Sequence, residues 1–134
     1  MATLADIEQA TGVTVFDYLA RDAEVPVITV AACQGDVSVR RVEQTAATTP
    51  LPKTGVPVVR GEAGGNTHSL HGAGVFFTPS GGSGGELVLG ILTVPDGCEA
   101  ILAHPEHGFL AIAPGTFEVG RQREFAGEWR LVAD

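Results

Sequence analysis

From Val25 onward, glycine and proline cut the chain into short apolar runs, and this punctuation limits the fold more than any other feature. The runs stop at Gln34-Gly35-Asp36, at Gly61–Gly65, at Gly72 and Gly74, at Pro95-Asp96-Gly97, at Pro105, at Pro114-Gly115 and at Ala126-Gly127-Glu128. Glycine supplies backbone conformations closed to other residues, and proline cannot donate to a strand ladder, so both mark turns and strand ends. Eight or more short, β-branched-rich runs between such signals predict a mainly β chain, either a small β-barrel or a β-sandwich of jelly-roll or cupin-like outline.

The runs themselves are readable. Val25–Cys33, Val37–Val42, Val58–Arg60, His68–Phe77 (a strand pair broken by its glycines), Glu86–Val94, Glu99–Ala103, Phe109–Ala113 and Thr116–Phe125 are the predicted strands. Trp129–Ala133 is a tail strand or short helix, and residues 44–57, with three prolines, are an exposed connection. Ser80–Gly85 reads as a mobile hairpin tip. It lacks the Lys-Ser/Thr pair and the following helix of a phosphate-cradling loop. Helix is predicted only over residues 2–22. There Thr3 with Asp6 forms an N-terminal capping signature, Leu4, Ile7 and Ala10 recur at helical spacing, and Gly12 interrupts. Thr14 with Asp17, followed by Phe16, Leu19 and Ala20, suggests a second short turn. The expected organisation is one domain over residues 1–134, with a helical segment at 1–22 covering one end of a β domain at 25–134.

Charge excludes some partners. Sixteen acidic against eight basic residues give a net charge of −8. A phosphate-neutralising face is not expected on such a chain, so neither nucleic acid nor an anionic membrane is an expected partner. The N-terminus has no basic leader, no apolar run approaches the ~20 residues of a membrane helix, and a cytoplasmic location is the expectation, with a virus particle as the alternative. Cys33 and Cys98 fit no metal-finger spacing and read as small buried thiols rather than a disulfide.

The four histidines fall in two tight pairs, His68 with His71 and His104 with His107. Imidazole is the commonest ligand for transition metals, and Glu106 sits between the second pair. If sheet closure brings the two segments together, His68, His104 and His107 close three positions of a metal site, with Asn66 or Glu106 next and a position left for water. His71, three residues from His68, points away if the strand continues. The plainer alternative is that these are ordinary histidines at turns. Elsewhere, Arg121 and Arg123 on the last long strand, together with Trp129, form a candidate partner-binding patch. Their plainer reading is a strand whose arginine stems cover the core edge, with Trp129 as a core plug. No Ser, Cys or carboxylate constellation stands out, so a non-catalytic role is expected.

Taken together, Gln34-Gly35-Asp36-Val37, Gly61-Glu62, Asn66-Thr67-His68-Ser69-Leu70, His104-Pro105-Glu106-His107, Pro114-Gly115-Thr116-Phe117-Glu118-Val119 and Arg121-Gln122-Arg123-Glu124-Phe125 resemble a family of small uncharacterised bacterial and phage-associated proteins. Its members carry Gln-Gly-Asp-Val, Gly-His-x-His, His-Glu-Glu-His and Arg-Gln-Arg-Glu-Tyr segments. Asn66 stands where the family has the first histidine of His-x-His, and Pro105 where it has the first glutamate of His-Glu-Glu-His. The resemblance covers most of residues 34–134 and implies no established activity.

The leading functional expectation is an accessory β domain that binds a divalent metal (Zn, Ni, Mn or Fe) or a small ligand through the histidine cluster. The alternative is a structural component of a phage particle that self-associates, with incidental histidines. A metal-assisted enzyme of cupin type ranks third.

Overall fold

The computed structural model describes residues 3–15, 24–59, 67–80 and 88–121, and the backbone of two short strands at 123–125 and 129–131. Helix α1 spans Leu4–Thr11. Its start is a reciprocal capping box: Asp6 N–H donates to Thr3 Oγ1 at 3.3 Å, and Thr3 N–H donates to Asp6 Oδ2 at 3.0 Å. Those hydrogen bonds from Thr3 hold the Asp6 carboxyl below the usual range. At the other end Gly12 adopts φ 75° and its N–H closes on the Glu8 carbonyl, the left-handed stop that glycine takes without penalty. The second helical turn read from Thr14, Asp17, Phe16, Leu19 and Ala20 falls largely outside the described residues.

The strands are β1 (Val27–Ile28), β2 (Ala31–Gln34), β3 (Val37–Arg41), β4 (Val56–Val59), β5 (His68–His71), β6 (Phe76–Pro79), β7 (Val88–Val94), β8 (Ala100–His104), β9 (Gly108–Ile112), β10 (Gly115–Arg121), β11 (Arg123–Phe125) and β12 (Trp129–Leu131). They form one five-stranded sheet in the order β1-β9-β8-β5-β4, a second in the order β2-β3-β10-β7-β6, and a two-stranded β11-β12 ribbon. The two large sheets do not close on one another into a barrel, so the sandwich is the form this chain takes.

Three strand readings need correction. Val25–Cys33 is not one strand: the chain bends at Thr29-Val30 and passes from the first sheet into the second. His68–Phe77 does not form a pair, because β5 and β6 belong to different sheets. Thr116–Phe125 divides after Arg121, and its last three residues pair with Trp129–Leu131 instead. In each case a uniform β pattern conceals a change of partner, since alternation reports the faces of a strand and not its neighbour. The Gly-rich tip lies outside the described residues.

Inward-facing residues of both sheets make the main core: Val37 and Val39, Leu70, Phe77, Leu92 and Val94, Leu102, Ile112, Phe117 and Val119. A second cluster lies on the outer face of the first sheet. There Leu4 and Ile7 of α1 pack with Ile101, Ala103, Phe109 and Ala111. Thus β8 is buried along its whole length, which is why Ala100–Ala103 is apolar without alternation. The helix covers a sheet face rather than the end of a sheet. Pro57 sits in β4, an edge strand, where a missing N–H is tolerated. Cys33 is exposed and Cys98 half-buried, and both are free thiols, so Cys33 is not the buried residue the sequence suggested. Among the described residues no helix is long and apolar enough to cross a membrane.

Candidate functional site

The two histidine segments meet. Strand β5 pairs antiparallel with β8 in a register that sets Ser69 opposite Ala103, and one further step sets His68 opposite His104. The β8–β9 turn then returns His107 over the same end of the sheet. Ring centroids lie 4.2 Å apart for His68 and His104, 4.5 Å for His104 and His107, and 6.0 Å for His68 and His107. His68 and His104 are buried, whereas Glu106 and His107 are exposed on the turn.

Two residues that the sequence showed as a turn and as part of the family-like Gln34-Gly35-Asp36-Val37 segment, but not as site residues, complete the cluster. The β2–β3 hairpin turns at Gly35, with φ 58°, and carries Gln34 and Asp36 into the space between the sheets. Gln34 Nε2 donates to the carbonyls of Leu102 and Gly108, both at 3.1 Å. With its amide nitrogen committed to two carbonyls, its Oε1 faces His68 Nδ1 at 3.0 Å. A carbonyl oxygen only accepts, so Nδ1 of His68 carries a proton. The opposite ring nitrogen, Nε2, faces Asp36 Oδ1 at 3.4 Å. Asp36 Oδ2 accepts from Arg121, at 3.1 Å from the terminal Nη2 and 3.3 Å from Nε. Oδ1 is buried without a hydrogen bond.

His104 is held differently. Its Nδ1 accepts the backbone N–H of Glu106 at 3.1 Å and of His107 at 3.2 Å. A neutral His104 ring therefore keeps its proton on Nε2, and the side chain orders the turn that presents Glu106 and His107. Asn66 lies outside the described residues, as do the side chains of Arg123 and Trp129. Arg121 joins the buried cluster through Asp36. Among the described residues no three His, Cys, Asp or Glu side chains are placed to share an ion as they stand.

His71 points to the opposite face of the sheet, as its spacing predicted. Its Nε2 lies 2.8 Å from Ser69 Oγ, and burial holds the imidazole below its ordinary value. It lines a separate cavity of about 440 Å³ with Thr11, Leu51, Lys53 and Ile101.

Fold and site together define a two-sheet β-sandwich with a buried polar cluster joining the sheets at one end. The chain matches the family described as a domain of unknown function, DUF8820, over residues 33–122, and it belongs to that family. No curated protein and no solved structure matches it. The matched span contains Gln34, Asp36, His68, His104, His107 and Arg121, and leaves out α1, β1 and the β11-β12 ribbon.

Proposed function

We propose that this chain is a small, non-catalytic β-sandwich domain that binds a divalent transition-metal ion at the polar end, through the histidine cluster. The observation that supports the reading is the gathering of His68, His104 and His107 from segments more than thirty residues apart, beside a buried carboxylate. Imidazole nitrogen with carboxylate oxygen is a donor set suited to Zn, Ni or Fe. In this reading His68 and His107 supply donors, and His104 organises the turn. Glu106 on that turn and Asn66 before β5 are the further candidates.

The test is elemental analysis of the purified chain, followed by calorimetric titration of the metal-stripped protein with Zn, Ni, Mn and Fe(II). About one equivalent of one metal should bind, and His68→Ala should abolish the uptake. A chain that carries no metal, shows no binding heat and gains no thermal stability with any of the four would remove the reading.

A further inference from the structure

We propose that the cavity beside His71 binds a small monocarboxylate with an apolar body, its carboxylate pairing with the Lys53 ammonium at the mouth. This goes beyond the metal-binding reading and does not depend on it, because His71 and His68 point to opposite faces of the first sheet.

Place, size and charge carry the assignment. The cavity lies between Ala10 and Thr11, at the end of α1, and the outer face of the first sheet, where His71 of β5 stands opposite Ile101 of β8. Its volume of about 440 Å³ is within the ~300–1,000 Å³ of small-molecule sites, and its lining, apolar surface with a few polar groups, is of their kind. His71 and Ile101 are buried at its floor, whereas Ala10 and Lys53 are exposed at its mouth. The backbone holds Lys53 in that position. Leu51 N–H donates to the Val75 carbonyl and Gly55 N–H to the Pro52 carbonyl, both at 2.9 Å, so Lys53 occupies the corner of a closed turn. Gly55, at φ 82°, packs so closely on His71 that a Cβ there would collide with the imidazole. Turn and ring therefore fix each other.

The charge selects the ligand. Lys53 is the one charged side chain in the described lining, and among the described residues no carboxylate pairs with it. His71 adds no charge at neutral pH: its Nε2 lies 2.8 Å from Ser69 Oγ, and burial holds the imidazole below its ordinary value. In a chain with twice as many acidic as basic residues, this cavity presents a cation over an apolar floor with no acid beside it. Phosphate is ordinarily held by arginines or a helix N-terminus, and the described lining has neither, so a carboxylate is the matching anion.

Calorimetric titration of the full-length chain with octanoate, octanamide and octylamine tests this, with amide ¹H–¹⁵N spectra to locate binding. Octanoate should bind at one equivalent and shift Thr11, Ala73 and Gly74. The uncharged amide should bind about 10-fold more weakly, and the amine not measurably. Lys53→Gln should reduce octanoate to the level of the amide. Ala10→Leu, which enlarges a lining side chain on an exposed helical position, should weaken both about 10-fold. Both substituted positions are exposed, so the variants should keep the fold, which the same spectra report. Binding should be unchanged by a chelator, so this site fails or stands separately from the histidine cluster. No octanoate binding, equal affinity for all three probes, or full affinity in Lys53→Gln would each overturn the proposal.

Discussion

Gln34 shows how much one side chain can commit. Its amide meets three groups on the opposite sheet: two backbone carbonyls and one imidazole. Gln34→Leu keeps the volume and removes all three bonds, leaving buried groups unpaired at about 1–3 kcal/mol each, so a loss of at least ~2 kcal/mol is expected in urea unfolding. Nothing in Gln34-Gly35-Asp36 beyond its turn signal foretold this. A polar residue beside a hairpin glycine is ordinarily solvated, and only the opposing sheet makes it internal. His71 gives a second expectation at this scale. Burial lowers its folded-state value, so below the ordinary ~6.5 the unfolded chain binds the proton that the folded chain refuses. Its contribution is therefore fully present above about pH 6.5 and is lost as the pH falls toward the folded value. His71→Gln should flatten the decline in urea midpoint between pH 7 and pH 5. A variant as pH-sensitive as the parent would show that His71 is not the group responsible.

At the scale of elements, much was legible and its limits have physical causes. Thr3, Asp6 and Gly12 announced both ends of α1, because capping chemistry is local. Thr3→Ala should lower stability by about 1 kcal/mol and loosen the packing of Leu4 and Ile7 on the first sheet, visible as faster amide exchange in β9. Most strands were readable from their turn signals. Their partners were not, because hydrogen-bonded neighbours are chosen by tertiary packing. Strand β7 illustrates this through Gly90, whose neighbours on β6 leave no room for a side chain. An added Cβ would stand 2.6 Å from both the Phe77 ring and the Thr78 carbonyl. Gly90→Ala should thus separate β6 from β7 and lower stability by about 1–3 kcal/mol, measured by chemical denaturation. A neutral result would mean that the edge strand shifts freely.

For the whole molecule, the polar end joins the two sheets by charge as well as by hydrogen bonds. Asp36 and Gln34 come from one sheet's hairpin, Arg121 from the end of β10, and His68 and the two carbonyls from the other sheet. Arg121→Met would leave the Asp36 carboxylate buried beside His68 without its guanidinium. A loss of about 2–4 kcal/mol is expected, somewhat under the usual cost of breaking a buried pair because Arg121 is partly exposed. The surface pair of Arg40 and Glu118 offers a control. Both partners reach solvent, and Arg40→Ala should change stability by less than about 1 kcal/mol. Equal effects from the two substitutions, compared by urea unfolding, would argue that the polar end holds nothing together. The histidine segments were recognisable from sequence because imidazoles are conspicuous, and the β5–β8 register explains why they meet. Asp36 and Arg121 were hidden as a turn residue and a strand charge, since each acquires its meaning only from the other.

The order in which these partners are made has a bearing on synthesis. Gln34 and Asp36 leave the ribosome first, His68 after them, the two carbonyls later, and the Arg121 guanidinium last of the group. Until then the aspartate has no counter-charge and no reason to leave water. A chain released short of Arg121 would pair many of its strands yet leave this end open, so closure of the cluster waits on the synthesis of one guanidinium.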